Sequence, residues 1–103
     1  MDEEKTISLL GLCRRAGRLQ LGADCVCDAV RSGKAKLVIL ASDASENTAK
    51  KIRNCASFYG VRLYVCEAGK ETLGHGLGRS GDVSCAAVCD DSFAVLIGKH
   101  IGP

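Results

Sequence analysis

Between residues 3 and 16, Leu9, Leu10, Cys13 and Ala16 recur at spacings of three and four. That period puts them on one stripe of a helix, and Gly17 supplies its stop. Leu19 and Leu21 then alternate with Arg18 and Gln20, which predicts a short strand. Gly22 opens a second helix to about residue 32, with Ala23, Val26, Cys27 and Val30 at i, i+3, i+4 and i+7. Gly33 ends it. Residues 37–41 form an uninterrupted apolar run, the pattern of a strand covered on both faces.

The second half continues the alternation. A turn with capping residues at 42–45 precedes a helix over 46–59, with Ala49, Ile52, Ala56 and Tyr59 inward and Lys50, Lys51, Arg53 and Asn54 outward. Gly60 stops it. Val61, Leu63 and Val65 alternate with Arg62, Tyr64 and Cys66 in a further strand. A short helix over 70–77 is interrupted by Gly74 and Gly76, residues 78–82 form a loop, and 83–88 read as a strand. Asp90 is placed to cap a last helix carrying Phe93, Leu96, Ile97 and Ile101. Helices alternating with short strands make an α/β protein, a three-layer α/β/α sandwich with about four strands. No linker, repeat or low-complexity tract divides the 103 residues, so 1–103 reads as one domain.

Composition narrows the function. The chain is 47% hydrophobic and 25% charged, which is ordinary for a globular domain and argues against disorder. Phe58, Tyr59, Tyr64 and Phe93 are the only aromatic residues, too few for a module that stacks bases on aromatic platforms. The acidic start Met1-Asp2-Glu3-Glu4-Lys5 is wrong for a secretory signal, and no apolar run approaches the length of a membrane span. A cytoplasmic protein without membrane contact is expected. The net charge of +2 hides an asymmetry: residues 14–36 hold six basic and two acidic side chains. Arg14, Arg15, Arg18, Arg31, Lys34 and Lys36 therefore point to an anionic partner.

The candidate chemistry is sparse. Gly74, Gly76, Gly78 and Gly81 match neither a dinucleotide fingerprint nor a P-loop, and serve close packing and a tight turn instead. His75 and His100 are tied to no Ser or Cys nucleophile by a recognisable motif, so no enzyme is expected. Seven cysteines in an apolar-rich cytosolic chain are not a disulfide framework. Cys25 and Cys27 lie two apart on a helix and face different directions, unlike a zinc knuckle, and no metal or other cofactor is expected. Cys13 and Cys27 lie on apolar stripes, where cysteine acts as a small hydrophobe, and Cys85 and Cys89 share a strand face. Cys25 lies off the stripe near a helix N-terminus and is the candidate reactive thiol.

Leu21-Gly22-Ala23-Asp24, with Ala29-Val30-Arg31-Ser32-Gly33-Lys34-Ala35-Lys36-Leu37-Val38-Ile39-Leu40-Ala41-Ser42-Asp43, resembles the kink-turn-binding ribosomal protein family. That family includes the large-subunit proteins seven-Ae and thirty-e. Leu73-Gly74-His75-Gly76-Leu77-Gly78 is similar to its LGxAxG segment. Leu9-Leu10-Gly11-Leu12, Arg15-Ala16-Gly17, 43–48 and Phe93-Ala94 resemble the bacterial branch called YlxQ. The likeness spans nearly the whole chain in the order of the family's motifs.

The resemblance implies an α/β/α sandwich with a mixed four-stranded sheet, no catalysis, and RNA binding at the N-terminus of the second helix. In the family a Gly-Ala-Asn-Glu segment there reads sheared G·A pairs, and a Lys one turn later meets the backbone. Gly22 and Ala23 match. Asp24 stands where the Asn is, Cys25 where the Glu is and Asp28 where the Lys is. An ionised Asp accepts hydrogen bonds but donates none. The matching loop, 78–83 with Arg79 and Val83, is polar and glycine-rich here where the family's is apolar.

The expected RNA surface is thus Gly22, Ala23, Asp24, Cys25, Asp28 and Arg31, flanked by Arg14, Arg15, Lys34 and Lys36, with Arg79 and Val83 opposite. Lys50, Lys51 and Arg53 are the fallback surface. The expected partner is structured RNA, ribosomal RNA included, bound by a monomer with no small-molecule substrate. Two other classes remain open: a protein–protein interaction module with a drifted RNA face, and a thiol-based redox or metal protein.

Overall fold

The structure is a computed structural model that describes residues 3–101. Met1 and Asp2 of the acidic start lie outside them, as do Gly102 and Pro103. The described elements are α1 (Glu3–Arg15), β1 (Leu19–Leu21), α2 (Ala23–Arg31), β2 (Leu37–Leu40), α3 (Glu46–Phe58), β3 (Arg62–Val65), α4 (Lys70–Gly76), β4 (Cys85–Val88) and α5 (Asp91–Gly98). All correspond to elements predicted from periodicity.

The four strands form one mixed sheet in the order β1-β4-β2-β3. Only β2 and β3 run parallel; β4 is inserted antiparallel between β1 and β2. The run 37–41 is uninterruptedly apolar because β2 is central and faces a core on each side. Leu37 and Ile39 join Leu10, Cys13, Leu73, Leu77 and Ile97 beneath α1, α4 and α5. Val38 and Leu40 join Val26, Cys27, Val30 and Ile52 beneath α2 and α3. Each of these fully buried side chains contributes about 1.5–3 kcal/mol of apolar burial. Ala86 and Ala87 of β4 face opposite cores, and their small size lets helices approach from both sides.

Polar contacts fix the element ends. Ser45 and Asp90 cap α3 and α5 by accepting from the Thr48 and Phe93 N–H groups, at 3.2 and 3.0 Å. Glu3 accepts from the Tyr64 hydroxyl and the Ala68 N–H, each at 3.1 Å, tying the start of α1 to the segment after β3.

Five expectations change. Tyr59 is 47% exposed instead of inward, because α3 ends at Phe58 and the chain has passed the edge strand β3; its ring packs edge-on against Phe58 at 4.9 Å. Leu96 is 43% exposed, since Phe93 and Ile97, spaced by four, supply the inward face of α5. Ile101 is buried but lies past the end of that helix at Gly98, so it is not carried on it. Ala16 is exposed in the turn after α1. The last strand begins at Cys85, not Val83, because the Val83 N–H bonds the Lys70 carbonyl at 3.0 Å and leaves the ladder.

Candidate nucleic-acid interface

The N-terminus of α2 is built by Gly22. Its φ of 91° and ψ of 153° lie in a region open essentially to glycine alone. In that conformation its N–H reaches the Cys85 carbonyl at 3.2 Å, and its carbonyl accepts from the Val26 N–H at 2.9 Å. The start of α2 is thereby pinned to the start of β4. No side chain caps this helix, so its first-turn N–H groups keep their donor capacity and the positive end of the helix dipole is uncovered.

Around this turn Ala23 is half-buried, while Asp24 and Cys25 are exposed. Lys51 of α3 donates to the Asp24 carboxylate at 2.9 Å. This hydrogen bond holds the Asp24 carboxyl below its ordinary range and raises the Lys51 ammonium. One turn on, Asp28 pairs with Arg31 at 3.3 Å. Lys51 therefore brings to the Gly22 end a cation that α2 itself lacks there. Sequence reading places Lys51 on an outward face and in the fallback RNA surface, but nothing local signals its contact with Asp24, 27 residues away.

The segment 78–83 reaches the same end of the sheet. The buried Val83 is tied to Lys70, and the following Ser84 carbonyl accepts from the Ala41 N–H at 2.8 Å, beside the Cys85–Gly22 contact. The segment folds closely over α4: a methyl group at Gly74 would collide with the Gly81 carbonyl. Arg79 is exposed and lines a shallow depression with His75 and Asp82.

Arg14 and Arg15 lie at the other end of α1. Arg14 donates to the Leu77 carbonyl at 2.7 Å, and both arginines line a cleft of about 590 Å³ against α4. Lys34 and Lys36 do not flank Gly22. The Lys36 N–H bonds the Val88 carbonyl at 2.7 Å, at the far end of β4 from Cys85. Four strand residues separate those ends by about 10 Å. Arg31 lies with them at the C-terminal end of α2.

The thiols divide as the stripes imply. Cys13, Cys27, Cys66 and Cys85 are buried, Cys55 and Cys89 intermediate, and Cys25 exposed. Burial pushes the Cys13 and Cys66 thiols up to about 11 and raises Cys27, Cys85 and Cys89 as well. Among the described residues no three His, Cys, Asp or Glu side chains gather as metal ligands would. No described helix is long and apolar enough to cross a membrane.

Comparison with known proteins identifies the family and the fold. The model of the ribosomal protein L7Ae/L30e/S12e/Gadd45 family matches residues 4–97. The RNA-binding protein YlxQ of Bacillus subtilis is 41% identical over 86 residues, 84% of either chain. The large ribosomal subunit protein eL30 of Dictyostelium discoideum is 30% identical over 89 residues, covering 86% of this chain and 80% of that one. A solved protein of unknown function from Bacillus halodurans superposes with a TM-score of 0.87 at 34% identity, over 94% of this chain and 96% of that one. A 15.5 kD RNA binding protein of Giardia lamblia shares the fold at a TM-score of 0.79 and 20% identity, over 99% of this chain and 87% of its own. With the match running from α1 into α5, the chain belongs to the ribosomal protein L7Ae/L30e/S12e/Gadd45 family.

Proposed function

We propose that this chain is a non-catalytic RNA-binding protein that takes structured, kink-turn-like RNA at the Gly22 end of α2. The observation that carries the reading is the uncapped first turn of α2, opened by Gly22 and set beside the 83–85 segment. Free N–H donors at a helix N-terminus suit phosphate oxygens and base-edge acceptors. Asp24 and Cys25 are the groups placed to meet base edges. Lys51 supplies a cation through its contact with Asp24, Arg79 is carried on the opposing segment, and Val83 anchors that segment from the core. Arg14 and Arg15, in their cleft against α4, are proposed to meet a more distant part of the same RNA. The names of the YlxQ and eL30 relatives support RNA, ribosomal RNA included, as the partner. The proposal takes the protein as cytoplasmic, monomeric and single-domain, with no small-molecule substrate.

A protein-interaction module on the same fold is the second reading, favoured by the two exposed acids Asp24 and Asp28 on the surface concerned. A gel shift at two salt concentrations separates the two. It compares a kink-turn RNA with a control whose tandem G·A pairs are replaced by G·C. Preference for the kink-turn is the expected result. Equal weak retention of both RNAs would reduce the interaction to general electrostatics, and no retention would favour the protein-interaction module.

A further inference from the structure

We infer that the far end of α2 is a second RNA contact, in which Arg18, Lys34 and Lys36 grip the backbone of a helical RNA segment distinct from the one at Gly22. The inference rests on the RNA-binding reading above, but not on which RNA motif the Gly22 end takes.

A groove of about 830 Å³ follows the outer face of α2, between that helix and the edge strand β1. At its far end Arg18 converges with Lys34 and Lys36 from two separate chain segments. Each is placed by backbone hydrogen bonds. After α1, the Arg18 N–H reaches back to the Cys13 carbonyl at 3.0 Å, and the Gly17 N–H to that of Arg14 at 3.0 Å. After α2, the same pair of bonds recurs: Lys34 to Ala29 at 3.0 Å and Gly33 to Val30 at 3.2 Å. Cys89 then bonds the Arg18 carbonyl at 2.8 Å, so the end of β4 joins the two segments. Cations carried on such fixed backbone need little further ordering of the chain to bind.

Their charge is not consumed internally. Arg31 pairs with Asp28 and Lys51 with Asp24, while Arg18 makes only a long approach to Asp90 at 4.0 Å. Lys34 and Lys36 pair with no described carboxylate, and the Lys36 ammonium meets only the Gly33 carbonyl at 3.4 Å. The groove contains no aromatic side chain, so it offers no base-stacking platform and fits the phosphates of a paired helix. The groove reaches Cys25 in the first turn of α2, but its cations all stand at the other end. The nine residues of α2 span about 13 Å. Asp28, which also lines the groove and pairs with Arg31 at 3.3 Å, leaves no net positive charge between the two ends.

The probe is a blunt 12-base-pair RNA duplex without internal loops, titrated into the ¹⁵N-labelled protein. Amide shifts should gather at Arg18, Lys34, Lys36 and Cys89. Lys34→Ala with Lys36→Ala should weaken duplex binding about tenfold and lower the salt slope by about two. Lys34→Arg with Lys36→Arg should retain binding. The alanine variant should also discriminate more strongly for a kink-turn RNA over the duplex than the wild type does. Shifts confined to residues 22–25 and 83 would overturn the inference. So would an alanine variant that binds the duplex as the wild type does and loses only stability, since the lysines would then serve the negative end of the helix. A wild type that takes the duplex in this groove but shows no preference for a kink-turn would sink the reading of the Gly22 end and leave this one standing.

Discussion

The Lys51 ammonium lies 2.9 Å from the Asp24 carboxylate, so the residue that stands where the family has an asparagine is engaged by a cation from the neighbouring helix. Both groups are exposed, and on the surface proposed for RNA the pair would act as a competitor: while Lys51 holds Asp24, it is not free to meet a phosphate. On a surface this open its worth to folding is small.

Releasing that competition gives the first prediction. Asp24→Asn supplies an amide donor and frees Lys51, and Asp28→Lys replaces an acid with the family's cation. Together they should strengthen kink-turn binding by about 2–4 kcal/mol, with a smaller gain on unstructured RNA. Titration calorimetry with both RNAs checks it. An equal gain on every RNA would indicate bulk charge alone, and no gain would mean that this helix end does not face RNA.

Removing Lys51 tests the same contact from α3. Lys51→Ala should weaken RNA binding and reduce its salt slope by about one unit if the ammonium transfers from Asp24 to a phosphate. Unchanged affinity and slope in a fluorescence titration would confine Lys51 to its intramolecular pair.

Thiol reactivity follows burial. Cys25 should react first with a thiol reagent in the native protein, and Cys13, Cys27, Cys66 and Cys85 last. Uniform labelling without denaturant, read by peptide mapping, would contradict the stripe assignment. Cys27→Ser should cost about 1–3 kcal/mol of stability by placing a hydroxyl in an apolar core.

Alkaline pH should destabilise the fold. Burial lifts the Cys13 and Cys66 thiols from 9.0 to about 11, and the Tyr64 phenol from 10.0 to about 12. The folded state then holds protons that the unfolded chain has lost. The stabilisation is complete below pH 9.0 and is lost as pH rises towards about 11 for the thiols and about 12 for the phenol. Urea midpoints under reductant at rising pH should fall. Cys13→Ala with Cys66→Ala should flatten the earlier part of that fall.

Gly74→Ala should destabilise by about 1–3 kcal/mol despite the better helix propensity of alanine, because the neighbour it meets is backbone. The collision is with the Gly81 carbonyl, so the 78–83 segment must shift. A thermal midpoint at or above that of the parent would show that the segment yields freely.

What can be read along the chain is what depends on near neighbours. The stripe Val26, Cys27, Val30 identifies α2 because side chains three and four apart share a helix face. Leu37 to Leu40 identifies a strand covered on both sides because successive side chains alternate between two cores. Gly22 and Gly33 mark the ends of α2 because each takes a positive φ there. The family likeness is legible for the same reason, since its motifs are runs of adjacent residues.

Other features required the packed molecule. Tyr59 continues the stripe of α3 in sequence but has no sheet left beneath it. Nothing local says that β4 slips between β1 and β2, since strand order is settled by which apolar faces cover one another after the chain collapses. That order separates Lys34 and Lys36 from Gly22, although a basic run near a motif reads as its flank. It is also the packing of α3 on α2 that brings Lys51 to Asp24. The sequence by itself thus determined the elements and their buried faces, through periodicities that act within a few residues. Only the tertiary structure decided which charges stand together, because that depends on contacts between residues tens of positions apart.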